Sequence, residues 1–141
     1  MPLLRPGLSL GLGASQDAFG LGLEVRSDHF GAAAGLGIGF VGFLAAGLGP
    51  SWAGSLRYFS EPGRGTTWMF AVNGGLWAQG RIFDSPNEHF WVVTVSAARR
   101  QYVDRWFWQI GLGAGVVIDR LPHSTSVYPI PDLVLAGGYE F

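Results

Sequence analysis

A carboxylate, a histidine and two serines lie close together at Asp119 and His123-Ser124-Thr125-Ser126. Such a set can cut an ester: the imidazole takes the hydroxyl proton as the oxygen attacks, and the acid orients the ring. His123, Ser124, Ser126 and Asp119 are therefore the candidate catalytic residues, with Asp132 as a second choice of acid. Glu140 is too far from His123 to serve, since it stands about eight residues beyond Asp132, roughly 26 Å along an extended chain. Ser, Thr, Pro and His are also ordinary loop residues. A solvated loop accounts for the same composition and is the preferred reading.

A second group is ionic. Arg5, Glu24, Arg26, Arg57 and Glu140 stand among apolar and glycine-rich neighbours. Opposite charges in such a setting either line a path for ions or protons or pair with one another, because an isolated ion away from water is costly. Paired, structural charges are expected. Metal chemistry has less support. His29, His89 and His123 are the only histidines and there is no cysteine, so no ligand spacing stands out. Neither a metal nor a cofactor is expected. Gly35-Leu36-Gly37-Ile38-Gly39 and Gly111-Leu112-Gly113-Ala114-Gly115 look superficially like nucleotide loops, but the strand–turn–helix context such loops need is missing.

The elements that must position these residues are strands. Eight segments alternate large apolar residues with small or polar ones, at about 4–14, 18–26, 30–40, 50–59, 66–78, 89–99, 106–118 and 133–141. A period of two gives a strand two unlike faces. Leu10, Leu23, Leu36, Val72, Val95, Leu112 and Leu135 fall on one face. Strands one, two, three and seven set mostly Gly or Ala opposite them, whereas strands five and six set Met69, Asn73, Trp77, Val92 and Thr94 there. A soluble barrel shows a charged face to water. This chain has 23 Gly and only 13% charged residues, against about 25% in ordinary domains. Gly, Ala and Ser could not dress a water-facing exterior, so the arrangement inverts: apolar residues face lipid, and small or polar ones fill a narrow bore. Most segments suit a tilted membrane strand of about 9–11 residues, and no run of 18 apolar residues suggests a membrane helix. The net charge of −1 gives no case for nucleic acid.

The chain ends Leu133-Val134-Leu135-Ala136-Gly137-Gly138-Tyr139-Glu140-Phe141. With Leu133, Leu135, Tyr139 and Phe141 on one face, this ending resembles the C-terminal assembly signal of bacterial outer-membrane barrels; Gly137 departs from the pattern. Over its whole length the chain resembles the small eight-stranded outer-membrane barrels of the outer-membrane protein A and X types, by pattern and length rather than by a motif. The resemblance implies an all-β fold, a single domain over 1–141 that forms a closed antiparallel transmembrane β-barrel of eight strands. It implies a bacterial outer-membrane location, both termini periplasmic, and the lipid bilayer and barrel-assembly machinery as partners. It carries over no functional residue. Some small barrels that trim lipid A use Ser, His and Glu, but the His-x-Ser-Asn motif associated with lipid A deacylases is absent here. The Met1–Pro6 start lacks a signal-peptide layout, so an export signal is expected to have been removed.

With an even strand count the joints fall into two sets. Residues 27–29, 60–65 and 100–105 go to the periplasm, and 15–17, 41–49, 80–88 and 119–131 to the outside. Segment 41–49, too apolar for an ordinary loop, either extends strands three and four or forms a short plug. Phe30, Tyr58, Trp68, Trp106, Tyr139 and Phe141 then fall at the periplasmic rim and Phe19, Phe40, Trp52 and Trp91 at the outer rim, where aromatic belts belong. The inward charges gather at the periplasmic end, with Glu140 near Arg5 where strand eight meets strand one. The expected function is a monomeric outer-membrane barrel with a filled lumen and a structural, adhesive or accessory envelope role, with a lipid or another envelope protein as candidate partner and no enzymatic activity. The alternative is a membrane-embedded hydrolase or acyltransferase acting on lipid A or phospholipid.

Overall fold

The computed structural model describes residues 4–13, 18–39, 49–79, 88–121 and 124–141, and every regular element among them is a strand. In chain order these are β1 (Arg5–Gly13), β2 (Ala18–Arg26), β3 (Phe30–Gly39), β4 (Gly49–Phe59), β5 (Thr67–Gln79), β6 (Glu88–Val103), β7 (Trp106–Leu121) and β8 (Ser124–Glu140). Each pairs antiparallel with its chain neighbours, and β8 returns to β1, so the sheet closes into an eight-stranded barrel. Closure needs a stagger. Paired residues followed from Gly7 through Glu24, Ala33, Ser55, Asn73, Thr94 and Gly115 arrive at Ile130 of β8, ten residues from Glu140, the actual partner of Gly7. The strands are therefore strongly tilted. Leu4 and Phe141, the first and last described residues, and the turns at 27–29, 60–66 and 104–105 lie at one end, called here the terminal end.

The two faces are unlike, as the alternation dictates. Leu10, Leu23, Leu36, Val72, Val95, Leu112 and Leu135 all stand on the outer surface, from 46% exposed at Leu135 to 71% at Leu112. Ser9, Glu24, Arg26, Ser55, Arg57, Asn73, Thr94, Arg100, Gln109, Asp132 and Glu140 are buried inside. Phe59, Met69, Ala71, Ala98 and Val134 form one apolar cluster in the bore, and Phe90, Val92 and Val117 form a second, against which Ile130 packs.

The last three strands are longer than their alternation predicts. Residues 100–105, expected as a joint, are mostly strand, and the turn is confined to Asp104-Arg105, with Asp104 at φ 60°. Residues 119–131, expected as an outer loop, also belong to β7 and β8 apart from 122–123. Pro129 and Pro131 lie within β8 at no loss to its ladder with β7. The Glu140 amide donates to the Arg105 carbonyl on the β7 side, and the Phe141 amide donates to the Pro6 carbonyl on the β1 side. Odd-numbered residues of β8 thus aim at β1, and the described β1 ladder stops at Leu12↔Leu135. Proline is tolerated in a strand where its absent N–H would face an unpaired edge. Of the other expected outer joints, 15–17, 41–48 and 80–87 lie outside the described residues.

One wall is bare for a steric reason. A Cβ on Gly111, Gly113 or Gly115 of β7 would run into the carbonyl oxygens of Ala97, Val95 and Val93 on β6. A glycine where another backbone approaches this closely is a packing requirement.

Candidate functional site

The inward charges meet at the terminal end, around Glu24. The β2 alternation that sends Leu21, Leu23 and Val25 outward sends Glu24 and Arg26 into the bore, and β4 delivers Arg57 in the same way. Glu24 forms an ion pair with Arg57 Nη1 through Oε2. Arg100 Nη1 donates to Glu24 Oε1 at 2.5 Å and Arg100 Nη2 to Oε2 at 2.8 Å, a two-pronged pair. Arg100 also donates to Gln109 Oε1 from Nε at 2.9 Å and from Nη2 at 2.7 Å, and its guanidinium stands 4.2 Å from the centre of the Phe107 ring. Arg57 Nε donates to Ser55 Oγ at 3.1 Å.

Tyr102 extends the cluster. Its hydroxyl accepts from Arg26 Nη1 at 2.7 Å and from Arg100 Nη1 at 3.2 Å, and it donates to Glu140 Oε2 at 2.9 Å. Arg26 has no carboxylate partner among the described residues. It donates instead to the Glu61 carbonyl at 2.9 Å and lies 4.0 Å from the centre of the Phe59 ring. The β4–β5 turn closes the group from below, where Arg64 Nε donates to Glu140 Oε1 at 2.9 Å. That bond holds the Arg64 pKa above its ordinary value. Glu24, Arg26, Arg57 and Glu140 are thus joined, through Arg100 and Tyr102. Arg5 stands apart from them: it pairs with Asp28 at 3.5 Å, not with Glu140.

Arg100, Tyr102, Gln109 and Arg64 are the members that sequence reasoning missed. A signal for Arg100 and Tyr102 existed: the inward parity of Val92, Thr94 and Ser96 continues through Ala98 to both. A polar row lies further along the bore. Asn73 Nδ2 donates to Thr94 Oγ1 at 3.0 Å and to Ser96 Oγ at 3.2 Å, and Thr94 Oγ1 donates to Asp132 Oδ2 at 3.1 Å.

The arrangement cross-braces β2, β4, β6, β7 and β8 inside the barrel. Its chemistry is cohesion. The candidate hydrolytic residues are elsewhere, at the opposite end. Asp119 and Ser126 are direct partners in the β7–β8 ladder, and Ser124 pairs with Leu121. No side-chain hydrogen bond joins Asp119 to either serine among the described residues, and His123 lies outside them. His29 Nδ1 lies 2.9 Å from the Phe59 carbonyl oxygen. No group of three or more metal-ligating side chains occurs among the described residues.

The aromatics form two bands on the outer face. Phe30 packs on Tyr58, Trp106 on Tyr139 and Tyr139 on Phe141, with ring centres 5.1–5.5 Å apart, and Trp68 shares this terminal-end band. Trp52 and Trp91 meet edge to face near the other end. Of the proposed assembly signal, Leu133, Leu135 and Phe141 are exposed and Tyr139 is half-buried, while Val134 points inward and is buried. Comparison of the chain with protein-family models, with curated proteins and with solved structures finds no match.

Proposed function

We propose that this protein is an integral barrel of a bacterial outer membrane, monomeric, with its terminal end in the periplasm and its lumen closed by the Glu24–Arg100 cluster. Its role is structural, adhesive or accessory to the envelope, and the barrel-assembly machinery inserts it. The observation that carries this reading is the outer face. Leu, Val, Ile, Phe and Trp side chains are exposed there on strand after strand while the described charges of the strands, Arg99 apart, are inside, the reverse of a soluble barrel. Exposed apolar surface on this scale needs a cover, and lipid flanked by two aromatic bands supplies one.

The test is depth-dependent. Val95→Arg, near the middle of the apolar belt, should lower the stability of the barrel refolded into vesicles by about 2–4 kcal/mol, whereas Gln101→Arg, near the terminal-end rim, should change it by about 0–1 kcal/mol. Unfolding by urea, followed by heat-modifiable gel mobility, reads both. Equal effects at the two depths, or a wild type that is monodisperse without detergent, would rule out the membrane reading. The closed lumen makes a separate prediction. An eight-stranded bore filled by side chains leaves no aqueous path, so the protein should be silent in planar bilayers. Stable, ion-selective single-channel currents would show that the cluster lines a pore.

A further inference from the structure

Among the described side chains on the outer face of the strands, Arg99 of β6 is the charged one. It pairs with no described acidic residue. It stands in register between Trp68 of β5 and Ile110 of β7, at the level of the terminal-end aromatic band. Two residues along β6 on the same face, roughly 7 Å away, Ala97 opens onto an apolar groove of about 850 Å³. The groove crosses β3 to β7, with Phe30, Tyr58, Phe70, Val72 and Leu112 also lining it. The groove is shallow and open on its outer side, and its lining is almost wholly apolar.

We propose that Arg99 and this groove bind one phospholipid with an anionic headgroup, the guanidinium taking the phosphate and the groove an acyl chain. The proposal rests on the membrane reading above. Charge complementarity selects the occupant. A guanidinium matches phosphate with two parallel donors, and here it is held at headgroup depth, with the apolar channel leading away from it toward the middle of the belt. A second copy of the chain fits poorly, because a two-fold interface sets the same patch against itself and that patch holds no described counter-charge for Arg99. A peptide fits poorly as well: of the outward side chains lining the groove, Tyr58 alone offers a hydrogen bond.

Native mass spectrometry of the refolded barrel tests this, with phosphatidylglycerol and phosphatidylcholine of identical chains as the probes. Wild type should retain one phosphatidylglycerol in about fivefold preference, the contribution of one basic residue at a membrane surface. Arg99→Gln should lose the preference and Arg99→Lys keep most of it. Ala97→Leu, which narrows the groove with Arg99 intact, should lower retention of both lipids. Heat-modifiable mobility checks that each variant is folded. Equal retention of the two lipids by wild type, or a preference that survives in Arg99→Gln, would overturn the proposal and leave the membrane reading standing. A wild type that inserts into no vesicle would defeat the membrane reading itself, before any lipid comparison.

Discussion

Glu24→Gln is expected to destabilise the barrel by about 3–5 kcal/mol, the range for breaking a buried ion pair by removing one partner. The amide keeps the shape but removes the charge that Arg57 and Arg100 share, and both guanidinium groups are buried with it. Neither arginine has another carboxylate among the described residues, and both would be left as uncompensated ions away from water. Glu140→Gln is expected to do less, about 1–2 kcal/mol, because its partner Arg64 is one-third exposed and solvent reaches that pair. Urea midpoints in vesicles would separate the two variants. A Glu24→Gln barrel within about 1 kcal/mol of wild type, or a larger loss for Glu140→Gln, would show that the cluster is not centred on Glu24.

The glycines of β7 are expected to resist even alanine. Gly113→Ala places a methyl group against the Val95 carbonyl oxygen and the Ser96 backbone. Backbone cannot swing aside as a side chain can, so β6 and β7 must part; about 1–3 kcal/mol is the usual cost of such overpacking. Gly111 and Gly115 meet β6 in the same way, and the triple alanine variant should fail to close. Gly54 and Gly74 provide the contrast. On the outer face, an added Cβ comes no nearer than 4.0 Å and 3.9 Å to any atom beyond the glycine and its two chain neighbours. Alanine there should be neutral, or stabilising by about 0.5–1 kcal/mol, since it removes the freedom glycine has in the unfolded chain. Folding yield in vesicles reads this comparison. Equal yields for Gly113→Ala and Gly54→Ala would refute the steric account.

That contrast marks where the sequence was legible. Period-two alternation sorted the faces because it is a local property: once Leu21, Leu23 and Val25 point out, Glu24 and Arg26 have no choice. It could not tell Gly113 from Gly54, because their difference lies in how closely a neighbouring strand approaches. The ends of β6, β7 and β8 escape it for a related reason. Arg100, Gln101 and Tyr102 look like loop residues, as do the serines and prolines of 119–131, and composition outweighed parity. The ionic group legible in the sequence therefore lacks Arg100, which pairs with Glu24 through two hydrogen bonds. Strand adjacency alone sets Arg5 near Glu140; the β2–β3 turn brings Asp28 within its reach instead.

The ladders also differ in when they can form. Seven of them join consecutive strands, so the chain can zip them up as hairpins with little entropy lost to loop closure. The eighth joins the two ends of the chain and, among the described residues, runs from Gly7↔Glu140 to Leu12↔Leu135, whereas the β7–β8 ladder runs from Trp106↔Tyr139 to Leu121↔Ser124. The β1–β8 seam is therefore the slowest contact to make and the first to part under stress. While it is open, the edge of β8 is a template on which another chain could pair. Pro129 and Pro131 withhold two of its hydrogen-bond donors, so a half-built barrel is guarded against joining its neighbours before it can close on itself.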